Sequence, residues 1–301
     1  LPLHFSVVDL LALGAAACWA LTGVLSAPNA KHLGAFAFTR WRMLLVLLML
    51  WPVVLVSGSW RTLQLSDCAV MAFSGLVGIF IGDTALFASM NRLGPRRTGV
   101  LFATNAFFSA LIGFWVFDER MGLQALLGAI LVIAGVMTAI LLGRHKDESH
   151  SFETTHGSMV AGIGLGLVAA LCQALGAMIA KPVMAGGIDP IAATAVRVSA
   201  TCTAQFVLLW SGFAAAKEQQ PINRRILSRV ALIGFIGMGV GMTLILLALK
   251  HGDVGTVGIL SSVSPVLVLP LLWLRLGRAP ARGAWIGAGL TVLGTMLVVL
   301  R

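Results

Sequence analysis

The chain has 301 residues, 58% of them hydrophobic and 11% charged, with a mean hydropathy of +0.97. That much apolar surface cannot be hidden inside a soluble fold of this size, which sets aside an aqueous enzyme or binding domain. The net charge of +10 does not mark a nucleic-acid binder either, because the basic residues form short clusters between apolar runs, where they orient a chain in a membrane.

The apolar runs reach the roughly 20 residues that carry a helix across a hydrocarbon core, where every backbone group must be satisfied internally. The alternating segments of about ten residues that barrel strands need are absent. The expected fold is an all-α integral membrane protein with spans at 7–27, 35–56, 68–90, 96–117 and 122–142, then 158–180, 189–213, 229–249, 254–274 and 283–300.

Span one is too long for a secretory signal peptide and is followed by further spans; it carries Trp19. Span two carries Arg40, Trp41 and Arg42. Arg40 is expected to snorkel to the interface, whereas Arg42 either snorkels or offers a fork to a carboxylate or phosphate. In span three, Gly78 and Gly82 put small residues on one face, suited to close helix contact or to one repeat rocking on the other. Phe80 and Asp83 follow near its middle. A carboxylate at that depth is costly, so Asp83 is expected to face a cavity, a cation or a proton path, or else to cap a broken helix or pair with a nearby arginine. In span four, Phe102, Asn105 and Ser109 sit three and four apart on one helical face.

The polar stretch 143–157 (GRHKDESHSFETTHG) is read as a linker; solvation rather than metal binding is the expected role of His145, His150 and His156,. Beyond it, span six carries Gln173 and span seven carries Arg197 about eight residues in, deep enough to face a cavity. Span eight repeats the small-residue face with Gly237 and Gly241. Span nine carries Ser261 and Ser264, and Pro265 removes a backbone donor and can bare a carbonyl to a ligand,. Trp51, Trp60, Trp115, Trp210, Trp273 and Trp285 lie nearer span ends and read, like Trp41, as interface anchors,. Cys18, Cys68, Cys172 and Cys202 show neither CxxC nor Cys/His spacing, so no disulfide, metal or cofactor is expected,.

The chain is written twice. Gly75, Gly78, Gly82, Thr84, Gly99, Leu101, Gly128, Ala129, Leu131, Gly135 and Met137 recur without a gap 159 residues later, as Gly234 through Met296. At an offset of 154, Cys18, Ala20, Leu21 and Pro28 recur as Cys172, Ala174, Leu175 and Pro182, which makes Trp19 and Gln173 equivalents. Five spans per half is an odd number, so the halves enter the membrane from opposite sides and form two inverted five-helix repeats, 1–142 and 158–301,. The identities do not extend to Asp83, whose counterpart is Met242.

The duplicated pattern, the turn Asn91-Arg92-Leu93-Gly94-Pro95, the Phe117-Asp118-Glu119-Arg120 ending of span four and Ser264-Pro265 together resemble the drug/metabolite transporter (DMT) superfamily in its ten-helix EamA-type form. Within it the chain looks most like bacterial exporters of aromatic amino acids. The resemblance implies a multi-pass carrier of the inner (cytoplasmic) membrane, with a central cavity between inverted halves and termini in the cytoplasm. Charge counting opposes that orientation, with thirteen Lys and Arg on the linker side and five with the termini. The sequence also departs from the family at Gly277-Arg278, where many members match Glu119 with an acid.

The function expected is alternating-access export of small metabolites, foremost amino acids with large apolar or aromatic side chains. Trp19, Phe80 and Phe102 would wall the side chain; Asn105, Gln173, Ser261, Ser264 and Pro265 would form the polar end. Arg197 or Arg42 would meet a carboxylate, and Asp83 an ammonium or proton. Partners are then a small-molecule substrate and membrane lipid, with no nucleic acid, and a monomer suffices. Two rivals stand beside this reading: a proton-coupled efflux pump for lipophilic cations centred on Asp83, and a non-transporting membrane scaffold or sensor.

Overall fold

The computed structural model describes residues 6–119, 122–142, 158–276 and 281–299. The stretch 143–157 with its three histidines, and Gly277-Arg278, lie outside the described residues.

Helix α1 (Val7–Leu33) opens on a capping box, in which the Ser6 hydroxyl accepts from Asp9 N–H while the Asp9 carboxylate accepts from Ser6 N–H at 3.0 Å,. Gly34, at φ 85°, turns the chain into α2 (Ala35–Ser57), which ends on the left-handed Gly58,. Helix α3 (Leu65–Gly75) passes through a π segment, Leu76–Ile81, into α4 (Gly82–Ala103). Gly94 (φ 81°, ψ 161°) breaks α4 before Pro95, as expected where a proline excludes the helical conformation of its predecessor,. Then come α5 (Asn105–Phe117) and α6 (Leu123–Leu142). The second half contains α7 (Met159–Ala185), α8 (Pro190–Trp210), α9 (Arg224–Gly234), a second π segment Phe235–Gly241, α10 (Met242–His251), α11 (Val254–Ser261), α12 (Ser264–Leu276) and α13 (Arg282–Val299).

Among the described residues seven helical runs are long and apolar enough to cross a membrane: Val7–Leu33, Ala35–Ser57, Leu65–Gly94, Arg97–Phe117, Met159–Ala185, Pro190–Trp210 and Arg224–His251. Three shorter apolar helices, Leu123–Ala139, Val254–Val268 and Arg282–Val298, occupy the remaining expected positions.

The sequence repeat is also a repeat of backbone conformation. The π segments Leu76–Ile81 and Phe235–Gly241 fall at equivalent positions. Both following helices then break at equivalent positions, at Thr104 between α4 and α5 and at Ser262-Val263 between α11 and α12. π turns and helix breaks are uncommon and cluster at functional sites.

The repeated glycines are where the halves meet, and the meetings come in reciprocal pairs. A side chain on Gly75 would strike the backbone of Arg197, and one on Gly234 would strike Val46 and Arg42. Gly78 lies against Gly176 as Gly237 lies against Thr22, and Gly82 lies against Cys172 as Gly241 lies against Cys18. Each half therefore lays its own first and second helices on the third span of the other. The most extensive helix pair, α6 with α13, repeats the device: Gly128 meets the Gly294 carbonyl and Gly135 meets the Gly287 carbonyl. Small residues let backbones approach where lipid supplies no hydrophobic drive to pack.

Loops gather at two ends. At one, Gln219 N–H donates to the Leu33 carbonyl at 3.1 Å. At the other, Asp189 N–H donates to Thr62 Oγ1 at 3.1 Å, and the Lys250 ammonium reaches the Gly187 and Ile188 carbonyls at 3.4 Å.

Candidate functional site

Among the described residues, two polar regions inside the bundle hold expected site residues. One is a charged seam where α2 and α8 meet the start of α4. Arg42 and Arg197 are each the eighth residue of their helix, and both are buried, at 5% and 2% exposure. Arg42 Nη2 donates to Asp83 Oδ2 at 2.5 Å, and its guanidinium lies 4.8 Å from the Phe87 ring centroid and 5.4 Å from that of Phe38. Buried charge is tolerated when it is paired and flanked by polarisable rings. Of the roles open to Asp83, the geometry gives it an arginine partner. Beside it, Gln205 Nε2 donates to Thr84 Oγ1 at 2.9 Å, and Thr201 Oγ1 donates to the Gly75 carbonyl at 3.0 Å.

Arg40 corrects an expectation. It does not snorkel: at 1% exposure it is the largest of the fully buried side chains among the described residues. The loop after α8 comes to it instead, with the Ala216 carbonyl accepting from Nη1 and the Glu218 carboxylate pairing with Nη2. Trp41 Nε1 also donates to Glu218, at 3.0 Å. Burial pushes the Glu218 carboxyl up, but hydrogen bonds from its own backbone, Trp41 and Arg40 together with the Arg40 charge outweigh it, holding the group below its ordinary value,. Trp51 likewise is no free interface anchor; its Nε1 donates to Ser199 Oγ at 2.9 Å across the α2–α8 contact.

The second region is a small cavity lined by Asn105, Ser109, Gln173, Ala177, Ile245, Leu249, Val257, Gly258 and Ser261. Three expected site residues, Asn105, Gln173 and Ser261, thus meet in one place, drawn from both halves. The open space is about 10 Å³, room for roughly one water molecule,. Ser109 Oγ donates to Asn105 Oδ1 at 3.2 Å, and Gly258 admits Ser109 because a side chain there would overlap it.

Phe102, Ser264 and Pro265 are not among the lining residues. The break at Thr104 takes Phe102 out of the register that a continuous helix would have given it, while Asn105 and Ser109 stay together on α5. Phe80, in the π segment, and Trp19 also stand off the cavity. The Trp19 indole donates to the Gly237 carbonyl at 3.0 Å, within the second π segment. Gly78, Gly82, Gly237 and Gly241 are cross-half packing positions, as their spacing implies.

Sequence reasoning missed the closure beside the cavity. Glu119 accepts from the N–H groups of Val254 (2.7 Å) and Gly255 (2.8 Å), capping the N-terminus of α11 from the other half of the chain,. Lys181 donates to the carbonyls of Leu249 (2.9 Å) and Gly252 (2.7 Å), covering the C-terminus of α10. Glu119 was legible as a polar span ending, but the helix ends that it and Lys181 satisfy exist only once the halves are assembled.

A duplicated bundle of apolar helices, broken at matching positions around buried polar groups, is the architecture of a membrane transporter. The EamA-like transporter family model matches residues 6–141 and again 160–300, and the chain belongs to that family. A protein of Archaeoglobus fulgidus described as an uncharacterized transporter is 27% identical over 143 residues, 48% of this chain and 51% of the relative. The chain thus spans about half the length of that curated relative. A solved structure, named simply "Crystal structure of protein", matches the fold with a TM-score of 0.77 at 18% identity, covering 99% of this chain and 98% of the other.

Proposed function

We propose that this transporter exports small zwitterionic metabolites, amino acids with large apolar or aromatic side chains foremost, by alternating access between two inverted five-helix repeats in the inner (cytoplasmic) membrane. In this reading the three shorter apolar helices also span, giving ten. The observation that carries it is the cavity: Asn105 and Ser109 from the first half face Gln173 and Ser261 from the second, with Ile245, Leu249 and Val257 as apolar wall. Amide and hydroxyl groups opposite aliphatic ones suit a solute with one polar and one apolar end. Because the cavity has room for little more than a water, such a solute enters only when the halves part. The glycine contacts supply surfaces on which they can turn.

The lipophilic-cation reading needs Asp83 as a free anion, and Asp83 is engaged by Arg42. The experiment is counterflow of radiolabelled phenylalanine and leucine into proteoliposomes preloaded with unlabelled solute, with no pH gradient. Selective accumulation of the large apolar amino acids is expected. Counterflow of a lipophilic cation and of no amino acid would overturn the proposal in favour of its rival.

A further inference from the structure

Among the described residues, four of the five buried side-chain polar atoms without a hydrogen-bond partner lie on two facing helices, Thr39 Oγ1 and Arg42 Nε on α2 and Arg197 Nε and Gln205 Oε1 on α8; the fifth is Asn91 Oδ1 on α4. Native interiors leave few such atoms, and a cluster of them marks a place built for something other than packing. The charges there are unbalanced too. Arg40 is matched by Glu218 and Arg42 by Asp83, but Arg197, 2% exposed, makes no hydrogen bond or ion pair among the described residues. Asp83 is the carboxylate whose field reaches it, and that carboxylate is already committed to Arg42.

Arg197 also lies next to the turn of α7 that lines the cavity. Its Nη2 sits beside Gly78 and Gly176, 3.0 Å and 3.4 Å from where their side chains would begin. Gln173 and Ala177, flanking Gly176 on α7, both line the cavity. Two glycines thus leave no side chain between the guanidinium and that turn, and separating the first π segment from α7 would bare it to the cavity.

We propose that Arg197 is the carboxylate-binding group of this transporter, docking the α-carboxylate of the solute on its guanidinium fork while Asp83 withholds Arg42. The proposal deepens the carrier reading above and rests on it. A buried guanidinium with an excess positive charge takes an anion in preference to a neutral group, and a carboxylate matches its planar donor geometry.

The test has a transport and a binding readout. In proteoliposomes, phenylacetate, phenethylamine and phenylalaninamide are each added against phenylalanine counterflow by wild-type protein; phenylacetate is expected to compete and the two carboxylate-free ligands are not. In detergent, sodium phenylacetate is expected to raise the unfolding midpoint of wild-type protein. Arg197→Gln should weaken that binding about ten-fold or more, and Arg197→Lys, which keeps the charge and loses the fork, by less. Equal stabilisation of Arg197→Gln, or competition by phenylalaninamide equal to that by phenylacetate, overturns the proposal. Should Arg197→Gln not fold, the wild-type competition decides alone. Sodium chloride stabilising wild-type protein as well as phenylacetate does at matched concentration would assign Arg197 to a small inorganic anion and refute the solute carboxylate. Phenylacetate binding that depends on Arg197, with no amino-acid counterflow, would sink the carrier reading and leave the anion site standing.

Discussion

The two halves share a backbone and differ in chemistry. Both place a π segment after the third span's opening helix, both break the following helix at the same position, and both rest their glycines on the other half's first two helices. Yet Asp83 corresponds to Met242 in the repeat, and Glu119 to Arg278. The partners of Glu119 differ between the repeats as well. Glu119 caps the N–H groups of Val254 and Gly255, and the residue equivalent to Val254 is Pro95, which has no N–H to offer,. Duplication keeps the devices that let helices approach and bend, while charge is placed where one half alone needs it.

The largest expected effect of breaking this comparison is at Asp83. Asp83→Ala leaves Arg42 buried without its ion-pair partner, at a cost of about 3–5 kcal/mol, whereas Met242→Leu at the equivalent position should cost under about 1.5 kcal/mol. Unfolding midpoints of the two variants in detergent measure the contrast. Next come the paired glycines. Gly75→Ala meets the Arg197 backbone at 2.5 Å, which cannot yield locally, while Gly234→Ala meets first the Val46 methyl at 2.7 Å, which can turn aside. Gly75→Ala should lose about 1–3 kcal/mol and Gly234→Ala less, with Gly23→Ala, which meets nothing within 4 Å, as the control.

Glu119→Gln comes third. It weakens a charged cap, costing about 0.5–2 kcal/mol, and should raise amide hydrogen exchange at Val254 and Gly255 while leaving that of Arg96, the repeat equivalent of Gly255, unchanged. The smallest effect is the acid limit of the Arg40–Glu218 contact. The native Glu218 carboxyl titrates below its ordinary value of 4.5, so the stability it contributes is complete above that pH and lost as pH falls through the depressed native value. Wild-type protein should hold a small thermal advantage over Glu218→Gln at pH 6, shrinking toward zero on acidification below about 4.5.

Much of the fold was legible because hydropathy and a fixed offset are properties of sequence: the membrane-helix class, the duplication and the close-packing role of Gly78, Gly82, Gly237 and Gly241 all follow from them. Asn105, Gln173 and Ser261 stood out because amides and hydroxyls in apolar spans need partners, but the repeat offsets pair them with Ser264, Trp19 and Phe102 and not with one another. Phe102 stands off the cavity; helical spacing assumes an unbroken helix, and nothing in Leu101-Phe102-Ala103-Thr104-Asn105 announces the break as Pro265 does in span nine. Arg40 was misread because snorkelling assumes that the polar partner is water; here the partner is Glu218, 178 residues on, carried by a loop whose path no local pattern gives.

The central claim, that the cavity between the halves is the passage, is tested most directly by a thiol at Ser261. The four native cysteines are free thiols and can be replaced by alanine before Ser261→Cys is introduced. In proteoliposomes, a membrane-impermeant thiol reagent should then modify residue 261 and abolish phenylalanine counterflow, and unlabelled phenylalanine should slow the modification. Complete modification with counterflow undiminished would contradict the account.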